Sequence, residues 1–315
     1  MIVALAGGVG GAKLADGLAR VVAPGELTIA VNTGDDFEHL GLYVSPDLDT
    51  VMYTLAGRND RETGWGLAGE TWAFMAALER LGGETWFRLG DQDMATHVER
   101  TRRLGDGQTL SAVTAELCDR FGIGHPIVPM SDDPIRTMVL TGDGRLPFQD
   151  YFVRLRCEPR VTGFEFDGAQ AARASPALLA VMGSGSISTA IICPSNPYVS
   201  VGPILAVPEI ARWLGERAFP VVAVSPIVGG RALKGPAAKM MAELGVEVSA
   251  LAVARHYGSL LDGMVIDVAD ESLAPTIEAE GPRVAVTGTV MNSAADRAGL
   301  AEAVVQFAKT LEARR

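Results

Sequence analysis

Apolar and polar positions alternate along this chain in blocks that predict strands and helices in turn. An apolar run over 2–6 breaks at once into Gly7, Gly8, Gly10 and Gly11. From Ala12 the period changes, with Leu14, Leu18 and Val21 on one helical face, so strand, glycine turn and helix (12–22) are predicted in that order. A second apolar run over 27–31 ends in Asn32-Thr33-Gly34-Asp35-Asp36. Beyond it the spacing predicts a helix over 51–56, capped by Asp47 or Asp49, and a glycine-rich loop over 64–69 that carries Trp65. A helix over 71–81, a strand over 85–89 and helices over 95–103 and 110–121 follow. A β-hairpin is predicted from 135–141 and 148–154 about Gly142-Asp143-Gly144. From residue 190 onward, strands over 190–193, 220–224, 265–268 and 283–286 are interleaved with helices over 208–216, 237–244 and 298–311.

Strands alternating with helices predict an α/β fold: a Rossmann-like, mostly parallel sheet with helices on both faces. The chain reads as one domain, 1–315, with a mixed helical and hairpin insertion at roughly 57–165 over one edge. In such sheets ligands sit at the C-terminal ends of the strands. The glycine turn, Asp35-Asp36, Ser195-Asn196 and Ser225 all fall at predicted strand ends.

Composition narrows the partners. Hydrophobic residues make up 48% of the 315 residues, enough for a sizeable core, and the net charge is −11. A long polyanion is a poor match for that charge, so no nucleic-acid partner is expected. The cysteines, Cys118, Cys157 and Cys193, are far apart and fit no zinc or redox spacing, which suits reduced thiols in a cytoplasmic protein. The first residues lack a basic region and their apolar run is broken by glycines, so no signal peptide is expected, and no stretch is long and apolar enough to predict a membrane span.

The chemistry-bearing residues cluster at the same strand ends. A glycine turn between a buried strand and a helix presents backbone N–H groups to an anion. Gly8, Gly10, Gly11 and Lys13 are placed for this, although Lys13 stands where a dinucleotide fingerprint has its third glycine and Leu14 where a Walker A loop has Ser or Thr. The alternative is a tight turn that needs glycine for positive φ. Asp35, Asp36, Asp47, Asp49, Asp91 and Asp93 supply hard oxygen ligands suited to magnesium beside a phosphate, or else solvated turns and helix caps. Arg88 is open to an ion pair or to a phosphate or aromatic ring system. Lys234 follows a second glycine-rich loop, where phosphate neutralisation and a plain surface position both remain open. Asn196, between Pro194 and Pro197, fits a purine edge or an Asx-turn. His39, His97, His125 and His256 form no zinc motif, and Gly183-Ser184-Gly185-Ser186 is not a nucleophile elbow.

Six ordered segments resemble one known family. They are Leu5-Ala6-Gly7-Gly8-Val9-Gly10-Gly11-Ala12-Lys13-Leu14, Val31-Asn32-Thr33-Gly34-Asp35-Asp36-Phe37-Glu38, Ser45-Pro46-Asp47-Leu48-Asp49-Thr50-Val51, Arg88-Leu89-Gly90-Asp91-Gln92-Asp93, Pro194-Ser195-Asn196-Pro197 and Val224-Ser225-Pro226-Ile227-Val228-Gly229-Gly230. The family is the 2-phospho-L-lactate transferases of coenzyme F-420 biosynthesis, and the resemblance runs to about residue 260. It implies a magnesium-dependent transfer from a GMP-linked donor carrying a lactyl, enolpyruvyl or glyceryl phosphate. The acceptor is the terminal hydroxyl of the deazaflavin Fo, and GMP leaves. It further implies that Asp49 and Arg88 bind Fo and that the protein is a homodimer.

On that basis Asp35 and Asp49 are expected in catalysis, and Asp35, Asp36 and Asp49 at the metal. Gly8, Gly10, Gly11, Lys13, Ser195, Asn196, Ser225, Gly229 and Gly230 are expected at the phosphates and nucleotide. Two other classes compete. A non-catalytic, nucleotide-sugar-binding regulator resembling the gluconeogenesis-factor branch would carry a glycine- and serine-rich segment after its aspartate pair, where this chain has Phe37-Glu38-His39-Leu40-Gly41. A nicotinamide dehydrogenase would want an acidic residue where Asn32 ends the second strand.

Overall fold

The computed structural model describes residues 1–311. Its centre is a sheet of seven strands: β1 (Ile2–Ala6), β2 (Leu27–Val31), β3 (Ile127–Pro129), β4 (Thr189–Ile192), β5 (Val221–Val224), β6 (Gly263–Asp267) and β7 (Arg283–Thr287). The spatial order is β7-β6-β5-β4-β1-β2-β3, and every neighbouring pair is parallel. The chain leaves β1 toward β2 and later returns to the other side of β1 with β4. A crevice opens at such a reversal, at the C-terminal ends of the strands.

Both faces of the sheet are covered, which is why the central strands are buried along their whole length. Val3 and Leu5 point into one core, and Ile2, Ala4 and Ala6 into the other. The second core is closed by α1 (Gly8–Val21), α2 (Pro46–Leu55), α4 (Leu110–Phe121) and α7 (Ala294–Ala308), with α3 (Asp93–Gly105) outside them. The first is closed by α5 (Pro208–Gly215) and α6 (Ala250–Tyr257), among others. α1 crosses α7 so closely that a Cβ on Gly17 would overlap the Arg297 carbonyl. No helix among the described residues is long and apolar enough to cross a membrane.

The predicted α/β architecture is therefore the observed one, with local differences. The glycine stretch is not an open loop: α1 begins at Gly8, four residues before the first strongly helical position. Residues 85–89 form no strand, because Trp86 and Phe87 pack against Phe37 and His39 instead of pairing with another strand. The hairpin pairs Arg136–Thr141 with Gly144–Pro147, and the predicted second arm turns into a π-helical segment, Asp150–Arg154. Pro147 ends the ladder because it has no N–H to donate. Val161–Asp167 adds a third strand on the other side of Arg136–Thr141. Within 57–165 the structure thus contains β3, which extends the main sheet, as well as the helices and hairpin that cover it.

Candidate active site

The first turn of α1 is pinned from two sides. The Ser195 hydroxyl accepts from the Gly7 N–H (3.1 Å), and the Asp47 carboxylate accepts from the Gly8 N–H (2.8 Å). A Cβ on Gly7 would sit 2.6 Å from Asp47 Oδ2, one on Gly11 would sit 2.5 Å from Ser195 Oγ, and one on Gly10 would overlap the Pro194 carbonyl. These glycines let β4's exit loop and the start of α2 press onto the helix end. Only Gly8 needs the left-handed region, at φ +62°.

A cavity of about 750 Å³ opens in front of this turn. Gly8, Gly10, Lys13, Asp35, Asp47, Asp49, Arg88, Ser195, Asn196 and Ser225 line it; Gly11, Asp36, Gly229 and Gly230 do not. Gly229 and Gly230 form the positive-φ turn of a small hairpin, Ile227–Val228 with Arg231–Ala232, and the Gly229 N–H donates to Asp270 (3.0 Å).

Asp35, Asp36 and Asp49, the expected magnesium set, sense one another's charge but do not form a group of ligand atoms within 4.8 Å among the described residues. Asp36 is buried beside Ser45, whose hydroxyl donates to its Oδ2 (2.9 Å), and burial pushes its carboxyl up to about 7. Asp49 faces the cavity, but both of its oxygens are held by the fully buried Arg100 of α3. Instead, Asp35 and Asp47 share the floor. Burial, then the charge of Asp47, pushes the Asp35 carboxyl well up, and burial raises Asp47 as well. Asn32 donates to Asp47 Oδ2 (2.9 Å), and Asp35 Oδ1 has no hydrogen-bond partner among the described residues. Two adjacent buried carboxylates with a spare oxygen form a hard-donor set that is relieved by a cation or a proton.

Asp49, Asp93 and His97 are a second cluster, with candidate ligand atoms within 4.8 Å of one another. Here the Asp49 charge is already answered by a guanidinium. Arg100 grips Asp49, Tyr53 donates to Asp93 (2.6 Å) and His97 Nε2 lies 3.3 Å from Asp93 Oδ2. A metal would have to share this space with the guanidinium, which disfavours it. Arg100 carried no motif signal; its burial follows only from where α3 packs.

The Arg88-to-Asp93 segment divides by role. Arg88 is exposed at the cavity wall, its guanidinium 4.2 Å over the Trp72 ring. Asp91 is structural: it accepts from the Ala73 and Phe74 N–H groups at the start of the 73–80 helix. Glu70 returns the arrangement, accepting from the Gln92 and Asp93 N–H groups at the start of α3 (2.8 and 2.7 Å). Trp86 and Phe87, next to Arg88, also line the cavity, so this end is aromatic.

Lys13, also in the cavity lining, donates to the Met291 carbonyl (2.8 Å). Burial, then the charges of Arg297 and Lys234, lowers its pKa. Asn196 closes an Asx-turn, accepting from the Tyr198 N–H (3.0 Å), while its Nδ2 lies 3.4 Å from Met240 Sδ. Ser225 is tied to its own loop, donating to the Ile227 carbonyl and accepting from the Ile227 N–H.

Comparison with known proteins places this geometry in context. The family profile described as 2-phospho-L-lactate transferase CofD matches residues 2–299. A phosphoenolpyruvate transferase of Streptomyces griseus is 43% identical over 318 aligned positions, covering 99% of each chain. A 2-phospho-L-lactate transferase of Methanosarcina mazei is 39% identical, covering 97% of this chain and 99% of its own. A UPF0052-family protein from Bacillus halodurans has a TM-score of 0.61 at 13% identity, over 96% of this chain and 98% of that one; it shares the fold.

Proposed function

The chain belongs to the 2-phospho-L-lactate transferase family and is a transferase, and on that premise we propose the reaction. It transfers a phospho-lactyl, phosphoenolpyruvyl or phosphoglyceryl group from a guanylylated donor to the terminal hydroxyl of Fo. GMP is released, and the F-420 core without glutamates forms. The observation that carries this reading is a single cavity lined both by the pinned start of α1 with Lys13 and by the aromatic residues Trp86 and Phe87 with Arg88, with Asp35 and Asp47 in the same lining.

Phosphoryl transfer is mostly positioning and charge neutralisation. Lys13, Gly8, Gly10 and Ser195 serve the donor's diphosphate. Asp49, held by Arg100, and Arg88 orient Fo. Asp35 and Asp47 fit magnesium and would hold it, and the ion would neutralise the diphosphate oxygens. Asp35, whose Oδ1 makes no hydrogen bond among the described residues, would also take the proton of the acceptor hydroxyl. Ser225 and Asn196 shape the nucleotide wall through their turns. The reading carries with it small-molecule partners, a homodimeric assembly and a cytoplasmic setting.

The test is turnover of the purified protein with Fo, magnesium and each of the three donors, followed by chromatography of GMP and product. Formation of the phosphodiester from one donor supports the reading. Nucleotide binding without turnover of any donor would favour the regulator class instead.

A further inference from the structure

The loop over 57–69 is built as a cover. Its base is fixed: the Arg58 and Asn59 N–H groups donate to the Tyr53 carbonyl at the end of α2, the Ala68 N–H donates to the Arg58 carbonyl, and Leu67 packs against the core. Its tip, residues 60–66, keeps its own shape. Asp60 accepts from the Glu62 and Thr63 N–H groups, and the Asp60 and Gly66 backbones are joined (3.1 Å). The tip reaches over the cavity, which Thr63, Trp65 and Gly66 help to line.

What holds the tip down is specific. Lys234, which also lines the cavity, donates through its ammonium to the Glu62 and Thr63 carbonyls (3.1 and 2.8 Å). Between them Gly64, at φ +84°, is buried so tightly that a Cβ would sit 2.7 Å from Val9 Cγ1 and 3.2 Å from Lys234 Nζ. Val9 belongs to the first turn of α1, so the tip touches the donor end of the cavity. Lys234 forms no ion pair among the described residues; Asp60 feels its charge without reaching it. Lys13 feels it too, so two ammonium groups with carbonyl partners stand at the same end.

Two cations that line one cavity and sense each other, neither with a carboxylate partner among the described residues, favour a polyanion beside them. We propose that Lys234 is a second ligand for the donor's phosphates and at the same time the latch of the 60–66 tip, so that nucleotide binding and closure of the cover are one event. The cover excludes water from the diphosphate, which protects the donor from hydrolysis. This rests on the functional reading above for the identity of the nucleotide.

The test uses GDP and trypsin on the full chain. Arg61 lies exposed in the tip and reports its opening by cleavage. In the unaltered protein GDP is expected to slow cleavage at Arg61 by about fivefold or more. In Lys234→Met, GDP affinity by calorimetry falls about tenfold and the protection at saturating GDP is lost. In Gly64→Val, where Lys234 remains but the tip no longer seats on Val9, GDP affinity falls less and protection is again lost. Unchanged GDP affinity in Lys234→Met, or Arg61 cleavage indifferent to saturating GDP in the unaltered protein, overturns the proposal. If the unaltered protein does not bind GDP at all, the nucleotide reading itself fails. Normal binding with an indifferent tip overturns the proposal and leaves the nucleotide reading standing.

Discussion

Two carboxylate groups line the same cavity and are treated in opposite ways. Around Asp49 the fold supplies the countercharge, Arg100 on both oxygens, and beside it the Tyr53 hydroxyl donates to Asp93. Around Asp35 and Asp47 it supplies two amide donors and no cation among the described residues, and burial pushes both carboxyls up. A buried charge that is paired is fixed in its ionised form and in its position, and one left in need of a countercharge is open to a cation or a proton. Burial alone does not separate the two groups, since Asp35 and Asp49 are equally exposed, at 5% each.

Substitutions break the comparison most directly. Asp35→Asn should lower kcat by about 10²–10⁴-fold, the range for removing a positioned proton acceptor. Its melting temperature should not fall, because the change removes a repelling buried charge; a clear drop in melting temperature would place Asp35 among the structural carboxylates. Arg100→Met should do the reverse at the other group, destabilising the fold by about 3–5 kcal/mol by leaving Asp49 buried and unpaired. Urea denaturation measures this, and the loss should be largely recovered by adding Asp49→Leu. Undiminished stability in Arg100→Met would mean that the pair is not the anchor described.

Metal removal sharpens the contrast. Excess chelator should abolish turnover. Magnesium at a hundred times its dissociation constant should stabilise the unaltered protein by about 2.7 kcal/mol in denaturation experiments. The increment should vanish in Asp35→Asn and persist in Asp93→Asn; the opposite result would move the metal to the Asp49–Asp93–His97 group. The smallest effect is expected at Asn196. Its acceptor oxygen is already spent on the Tyr198 N–H, so Asn196→Ala should weaken GDP binding by about 0.5–1.5 kcal/mol through a looser loop, with Fo titration unchanged.

Much of the architecture was legible in the residues. β1, β2 and α4 follow from uninterrupted apolar runs and from helical spacing that ends at Gly122, a left-handed cap. Elements set by distant partners were not. β3 is three residues long and exists because β2 offers an open edge. Residues 85–89 have strand-like composition but no strand to pair with, so their aromatic rings decided their course. At the site, Lys13, Arg88, Asp35 and Asp49 do line one cavity, as their motifs suggested. Gly229-Gly230 and Asp91 carried the same kind of signal and turned out to shape the backbone, one as a hairpin turn and the other as a helix cap.

By itself the sequence determined the alternation of strands and helices, the order of the glycine, aspartate and Ser-Asn segments at strand ends, and membership of a transferase family. Those are properties of local period and residue type, which the chain carries wherever it goes. Only the tertiary structure decided which aspartates lack countercharges. The guanidinium that neutralises Asp49 comes from α3, 51 positions along the chain. The ammonium that donates to the Thr63 carbonyl of the loop over 57–69 comes from 171 positions along the chain. The state of a buried charge depends on what surrounds it in space, and no local pattern records that.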